Sequence, residues 1–409
     1  MKLFDLQHES MPREPLQQLQ LERLQALLAR LKRTERRYRD LLGDAQVAAL
    51  DDIGSLPLTQ PDDLVEAFPY GMFALPLREV VRLHSSTGPS DRQIVIGYTR
   101  NDLVNWGRLV ARQFAAAGMT AHDVIQLCFE GGLVKGAAGY TLGAELIEAS
   151  IIPEDPFHIE YQLAMLQNYR VTVLITTPTN ARELVELLRT RRIDPQSLPL
   201  RTVLLTRLVP PAERAELHTG LSADVHCSFG VAEVFDPGLC VECREGRYHV
   251  NEDHFLVEIH DGELVVTTLC REAMPLLRYA TRISASLVQD QCPCGRTGAI
   301  LIPGERRDGR MRVNEMPLYT SQIAEVLTHT RAAGTPFRVE ISERGIVIGL
   351  RVTEELFPDV MADLVKLQQH VEREFATRLG IHAEVRYLEP YHFTPDGAAR
   401  ERGAPEGTV

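Results

Sequence analysis

The chain has no basic tract. Its 409 residues carry 44 Lys and Arg against 56 Asp and Glu, a formal charge of −12, with the acidic residues spread along the whole length. Nothing in that distribution displaces counterions from a phosphate backbone, which excludes a nucleic-acid binder. No apolar run approaches the length of a membrane span, so no membrane partner is expected. The opening stretch MKLFDLQHES lacks the apolar core of a signal peptide, which predicts a cytoplasmic protein. Cysteines number seven; in a reducing compartment they serve as thiols or metal ligands, not disulfides. No serine–histidine–acid pattern or other nucleophile signature stands out. What the sequence does have is bulk: 44% hydrophobic and 24% charged residues over this length predict a large core divided among two or more domains.

Helical and extended patterns alternate. Residues 14 to 43 place leucines at helical spacing on a charged background, predicting one long amphipathic helix that packs and has no chemistry of its own. Beyond it, helix-like segments such as TRNDLVNWGRLVARQFAAAG and IEYQLAMLQNY alternate with the short apolar runs DVIQLCF, ASIIP, VTVLITT and RTVLLT. That alternation predicts a largely parallel sheet covered by helices. From about residue 240 the texture turns to strands, and HFLVEIHDGELVVTTL reads as a hairpin turning at Asp261-Gly262. The arginine-rich stretch GERRDGRMR, 304 to 312, is the best domain boundary. A tail of two strand-like and two helix-like segments follows it.

Two stretches carry chemistry on their face. RLHSSTGPSDRQIVIGYT, Arg82 to Thr99, has the grammar of a phosphate-binding loop: hydroxyls, a glycine, a basic residue, then an apolar strand. Its Asp91 sets a carboxylate where a polyphosphate would lie. Cys243, His249, Cys292 and Cys294 supply three thiolates and an imidazole, the ligand set of a closed tetrahedral zinc site that pins strands and does not catalyse. Cys240 is the competing ligand, with a surface thiol as its alternative. Cys128, Cys227 and Cys270 read as packed thiols.

Taken in order, LPLTQPDDLVEAFPYGMFALPLREVVRLHSSTG, VIGYTRNDLVNW, FGVAEVFDPG, NEDHFLVEI, GELVVTTLCREAMPLLRYATR, CPCGRT and SQIAEVL resemble the phenylacetate-CoA ligase branch of the adenylate-forming superfamily. The resemblance runs from about residue 55 to the C-terminus. It implies an α/β adenylate-forming fold: a large N-terminal domain, 1 to 307, whose strand-rich metal-bearing part spans about 235 to 305, and a small mobile α+β domain, 308 to 409, hinged at Asp308. It also implies two half-reactions, acyl adenylate formation from carboxylate and ATP, then displacement of AMP by the pantetheine thiol of CoA. A subset of the family has a structural zinc at similar spacing.

The departures from the family text fall on one ligand. Its loop, of the form HASSGTTGKPTVVGYT, lies without gaps on His84 to Thr99: Gly88 survives, Pro89-Ser90 replace a threonine pair, Asp91 replaces a glycine and Arg92 a lysine. The adenine-side GAEP falls on Thr206, Arg207, Leu208 and Val209 with no match. The aspartate that would hold the ribose hydroxyls is Ile283, beside a retained Arg282, and Ile283 has no acceptor. The adenylation lysine is Ala398. Four altered contacts predict weak or absent ATP·Mg binding.

Phe229-Gly230 match the family's aromatic–glycine pair, and Glu233 its magnesium-associated glutamate. An acyl pocket is implied along LCFEGGLVKGAAG, with Phe129 stacking on an aryl group and Gly131, Gly132 and Val134 lining the space. Glu130 accepts from an amino or hydroxyl substituent or, with Lys135, is a solvated charge. His84 acts as a base toward a thiol or packs in the turn. Arg306, Arg307, Arg310 and Arg312 meet CoA phosphates or an acidic carrier protein, or form a solvated hinge.

The expectation drawn from these departures is an acyltransferase. It would move an aryl acyl group, such as aminobenzoyl, from the CoA thioester to the pantetheine thiol of an acyl carrier protein without ATP. An ATP-dependent aryl-CoA ligase is the alternative and a non-catalytic acyl-CoA-binding protein the third reading. A homodimer stays open.

Overall fold

The structure, a computed structural model, describes residues 3–34, 36–87, 93–129, 137–154, 158–313, 316–342, 345–351 and 361–388. Among the described residues, those up to Arg307 form one compact unit and those from Asp308 onward a second. No helix among them is long and apolar enough to cross a membrane.

The first unit holds a five-stranded parallel sheet. Its strands are Val124–Cys128, Ser150–Glu154, Val173–Thr176, Thr202–Leu205 and Asp224–Cys227. The Val173 and Thr202 strands are buried at every position, which is why their sequences, VLIT and TVLL, show no polar alternation. In space the order begins with Ser150–Glu154, then Val124–Cys128, and continues outward through the other three. The chain therefore starts inside the sheet, moves one way, then reverses, leaving a topological switch point between Val124–Cys128 and Val173–Thr176. Open sheets of this kind bind ligands outside the carboxyl ends of the strands at that switch. Phe129 is the first residue beyond the end of the first strand.

The helix Arg100–Ala116 starts on a reciprocal cap: Thr99 Oγ1 accepts from the amide of Asp102 at 3.0 Å, and Asp102 Oδ2 accepts from the amide of Thr99 at 3.0 Å. Its buried face presents Trp106, Leu109, Val110 and Phe114. The helix Ala137–Leu146 crosses that face through glycines. A Cβ on Gly139 would stand 2.5 Å from the Trp106 ring, and one on Gly143 would stand 2.6 Å from Val110 Cγ1.

An antiparallel six-stranded sheet follows, in the order Phe255–His260, Glu263–Thr268, Tyr279–Val288, Ile300–Arg306, Tyr248–Val250, Cys240–Glu242. The expected hairpin is there. His260 pairs with Glu263, and Asp261 and Gly262 have φ of 50° and 72°, the positive pair that a tight two-residue turn needs. Residues 82–87 and 93–98 form a separate antiparallel ladder.

The described N-terminal residues are helical on both sides of residue 35, along the stretch read from the sequence as one amphipathic helix. One helix spans Arg13–Thr34 and another Arg36–Leu42. The buried leucines of the first end at Leu31, and Tyr38 of the second is buried too; its hydroxyl bonds Thr59 Oγ1 at 2.9 Å and accepts from the amide of Leu277 at 3.2 Å. Arg39 donates back to the carbonyls of Lys32 and Arg33. The first helix itself docks on the strand-rich sheet. Gln20 Nε2 donates to the carbonyl of Glu252 at 2.9 Å, Arg13 pairs with Glu252 at 2.7 Å, and Arg23 and Arg30 donate to the carbonyls of Asp253 and Arg271.

The second unit contains a hairpin of Arg310–Val313 and Met316–Tyr319, the helix Thr320–Thr328, a mixed sheet of Phe337–Ser342, Gly345–Arg351 and Ala383–Leu388, and the helix Met361–Leu379. Its core gathers Ile323, Leu327, Ile346, Ile348, Leu350, Val371 and Phe375. The two strand-like segments read from the sequence understate the five among the described residues. RMRV and MPLY are short, and FRVEIS is mostly half-buried, so none carries a long apolar signal.

Helix propensity alone would make Gly143→Ala favourable by ~1 kcal/mol, but Val110 is β-branched and stiff at χ1, so its methyl cannot swing away. Overpacking at ~1–3 kcal/mol outweighs the gain. Denaturant titration of Gly143→Ala is expected to show a net loss of stability with unchanged m-value.

Candidate active site and metal cluster

Residues 84 and 86 alternate with 85 along the Arg82–Thr87 strand and share one face. The imidazole of His84 stands edge-on to Tyr98 at 5.1 Å and to Trp106 at 5.8 Å between centroids. Burial, then the nearby charges of Arg82 and Arg271, push its pKa down to about 4. His84 is therefore neutral near pH 7. Ser86 donates from Oγ to Oε1 of Glu233 at 2.6 Å, a short charge-assisted bond, and Glu233 is 9% exposed. The loop that carries Glu233 is closed by a bridge between Val231 and Phe235. Its Gly230 has no room for a side chain, since a Cβ would come within 2.7 Å of the Phe235 carbonyl oxygen and of Asp236 Oδ1. Ser86 went unnoticed in the sequence although it stands inside the loop motif; a hydroxyl reveals its role only when its partner, 147 residues away, is seen.

At the switch point Phe129 is buried and meets Tyr140 edge-on at 5.6 Å. The Tyr140 hydroxyl donates to Ser228 Oγ at 2.8 Å, and Gln113 Nε2 donates to the same oxygen at 3.0 Å. Phe229 follows Ser228 in the chain and is also buried. Glu130, Gly131, Gly132 and Val134 of the expected pocket, Gly88, Asp91 and Arg92 of the loop, and Ala398 lie outside the described residues.

Ile283 is 5% exposed and belongs to the main core cluster, at a register shift in the Tyr279–Val288 strand. The preceding Arg282 has φ of 58°; its amide donates to Glu263 Oε1 at 2.6 Å and its carbonyl accepts from the amide of Arg307 at 2.8 Å. Arg306 and Arg307 reach the carbonyls of Thr281 and Asp261 at 3.4 and 2.9 Å, all within the first unit. Arg310 and Arg312 belong to the second unit. There the Arg310 guanidinium lies 5.9 Å from the Tyr319 ring centroid, and its amide donates to Asp308 Oδ1 at 3.2 Å.

Cys243, His249, Cys292 and Cys294 offer one ligand atom each, and all four atoms lie within 4.8 Å of one another. Cys243 Sγ is 3.8 Å from Cys292 Sγ, and Cys294 Sγ is 3.4 Å from His249 Nε2. Ligand atoms ~2.0–2.3 Å from a tetrahedral ion form edges of about 3.3–3.8 Å, so these separations fit an ion and not a disulfide. His249 Nδ1 meets the Gly298 carbonyl at 3.0 Å, which fixes the tautomer and turns the Nε2 lone pair inward. Burial pushes the Cys243 thiol up to about 12, so thiolates in this place need a cation to balance them. Cys240 is not a surface thiol. It is 1% exposed and stands outside the cluster on its own strand.

The two-sheet architecture and this site define an adenylate-forming CoA-ligase fold. A 2-hydroxyisobutyryl-CoA ligase, solved with its acyl adenylate and CoA in the thioesterification state, superposes with a TM-score of 0.83 over 97% of this chain and 90% of its own, at 20% identity. An amide bond synthetase from Marinactinospora thermotolerans shares the fold at a TM-score of 0.53, with 14% identity over 79% of this chain and 68% of its own. No protein-family model matches the chain. The phenylacetate-coenzyme A ligase of Thermus thermophilus is 33% identical over 95% of this chain and 96% of its own. That of Escherichia coli is 31% identical over 84% and 83%. The chain belongs to the phenylacetate-CoA ligase family.

These relatives overturn the expectation of ATP-independent acyl transfer to a carrier protein. Proteins named as ligases align along nearly the whole chain, and the carrier-protein partner loses its basis along with the transfer reaction. The altered nucleotide contacts, Asp91, Ile283, Ala398 and the 206–209 segment, do not outweigh that likeness. At one-third identity most positions differ from any given relative, so four differences at motif positions do not by themselves mark a lost reaction. The inference that ATP·Mg is dispensable goes with them.

The environment of His84 has a measurable signature. Its carbon-bound ring protons are expected to titrate near pH 4 by NMR, against an ordinary value of about 6.5. Because the unfolded chain binds that proton first, the His84 contribution destabilises the native state as pH falls from about 6.5 toward 4.

Proposed function

We propose that the protein is an ATP-dependent ligase that joins an aryl or arylacetic acid to CoA. The observation that carries this reading is the 33% identity over 95% of the chain to a phenylacetate-coenzyme A ligase, repeated at 29–31% in three further proteins of that name. In the first half-reaction the substrate carboxylate attacks the α-phosphorus of ATP and pyrophosphate leaves. In the second the CoA sulfur attacks the acyl carbon, a thioester forms, and AMP leaves with the bonding pair. Glu233, oriented by Ser86, would hold the magnesium that accompanies ATP, and that ion would offset the charge of the phosphates. His84, being neutral, offers a ring nitrogen as a hydrogen-bond partner next to the reacting groups. Phe129 and Phe229 form the apolar wall against which an aromatic ring packs, and Gly230, with no room for a side chain, lets the loop of Glu233 fold back on itself. Asp308 is the hinge between the domains 1–307 and 308–409. In this reading a zinc ion held by Cys243, His249, Cys292 and Cys294 is structural: four protein ligands leave no position for a reacting water.

Acid-dependent exchange of pyrophosphate into ATP tests the reaction. Exchange should appear with phenylacetate or a related aryl acid and be absent without acid; no exchange across a panel of such acids sinks the proposal. Truncating Phe129 to Ala removes ~1.5–3 kcal/mol of apolar contact and should lower kcat/KM for the acid roughly 10- to 100-fold.

Elemental analysis should find one zinc per chain, lost in Cys294→Ser together with thermal stability. A metal-free wild-type protein of unchanged stability contradicts the structural role.

A further inference from the structure

The site comes from two distant parts of the sequence: the paired 82–87 and 93–98 strands, the first with His84 and Ser86, and the loop that carries Glu233. One side chain reaches across them. Arg271 is 1% exposed and lies over two aromatic rings, its Cζ 4.2 Å from the Tyr98 centroid and 4.4 Å from that of Phe235. One terminal nitrogen donates to the carbonyl of Val234, the residue after Glu233; the other donates to the carbonyl of Gly97 at 3.0 Å. Gly97 stands opposite Leu83 in the ladder, next to the pairing of His84 with Ile96. The Tyr98 ring beneath the guanidinium also packs on His84.

An arginine kept only to balance a buried carboxylate would spend its donors on that carboxylate. The carboxylate here is Asp102, 4.0 Å from Arg271 Nε. Its oxygens instead accept from the amides of Glu272 at 2.8 Å and Ala273 at 3.0 Å, and from Thr99. That leaves the guanidinium fork free to fix the two backbone segments that carry the site. A planar, delocalised cation can lie over two rings and donate in two directions at once; an ammonium does not.

We propose that Arg271 is a positioning residue of the ligase reaction, setting the loop of Glu233 against the hairpin of His84 and Ser86. The proposal rests on the ligase reading for its kinetic test and on the geometry for its spectroscopic one. The charged groups facing His84 are Arg82, from its own strand, and Arg271. Removing the second should raise the His84 pKa, whereas a lysine should leave it low.

The test uses full-length Arg271→Met and Arg271→Lys, with folding followed by circular dichroism and thermal melting. Both are expected to fold. Acid-dependent ATP–pyrophosphate exchange should fall about 100-fold in kcat for Arg271→Met and by less for Arg271→Lys. KM for the acid should stay within about threefold of wild type, the split expected when geometry and not substrate contact is lost. The His84 pKa, read by NMR, should rise in Arg271→Met alone. A folded Arg271→Met with wild-type kcat overturns the proposal, as does loss of folding in both variants, which would confine Arg271 to the framework. If wild type exchanges with no acid, the ligase reading falls. The His84 titration then decides this proposal separately, and an unmoved pKa in Arg271→Met ends it.

Discussion

Arg112 sits midway along the Arg100–Ala116 helix, 2% exposed, and gives its two terminal nitrogens to Asp253 at 2.7 and 2.8 Å and to Asp5 at 2.9 Å. Burial alone would push the Asp253 carboxyl up, but the hydrogen bonds from Arg112 hold it well below the usual carboxylate range. A guanidinium this deep is tolerable only because each of its neighbours is in place. The pairing fastens the helix over the parallel sheet to the segment that opens the antiparallel one, and brings the N-terminal residues to the same point. The same rule governs Arg278, which pairs with Glu258 and donates to the carbonyls of Gly54 and Leu56, and Arg296, which pairs with Glu9. The first unit is thus held by a hydrophobic interior and by a few interior cations, each joining segments far apart in sequence.

That rule explains which parts of the protein were legible before the fold was known. VLIT and TVLL announce buried parallel strands by composition, and Asp261-Gly262 announces a turn because few residue pairs accept two positive φ values. The three cysteines and His249 are visible as a ligand set because their chemistry is rare and their spacing short on each side. The bond between Ser86 and Glu233 and the reach of Arg271 across Tyr98 and Phe235 were not visible. Serine and arginine are common residues, and their meaning here lies in partners far away along the chain.

Function was misread where individual letters were trusted over the whole. The loop beginning at His84 departs from family spelling at several positions, yet the surrounding scaffold is shared end to end with phenylacetate-coenzyme A ligases. Ile283 shows the limit of a letter-by-letter comparison. It lies in the core at a register shift, where the direction of a side chain depends on how the strand slips as much as on which residue occupies the position.

The docking of the N-terminal segment has a consequence for how the chain assembles. Glu9 waits for Arg296, 287 positions later, and its carbonyl waits for the amide of Thr297 beside the cysteine cluster. At ~5–20 residues per second of synthesis, roughly 15–60 s separate the two partners. Throughout that interval Leu16, Leu24, Leu27 and Leu31, all buried in the finished protein, have no sheet to cover them. Closing so long a loop is slow, and contacts of this span come late in folding. The nascent protein therefore carries an uncovered leucine stripe until most of the first unit has been made, and in the cell that stripe is a natural landing place for chaperones.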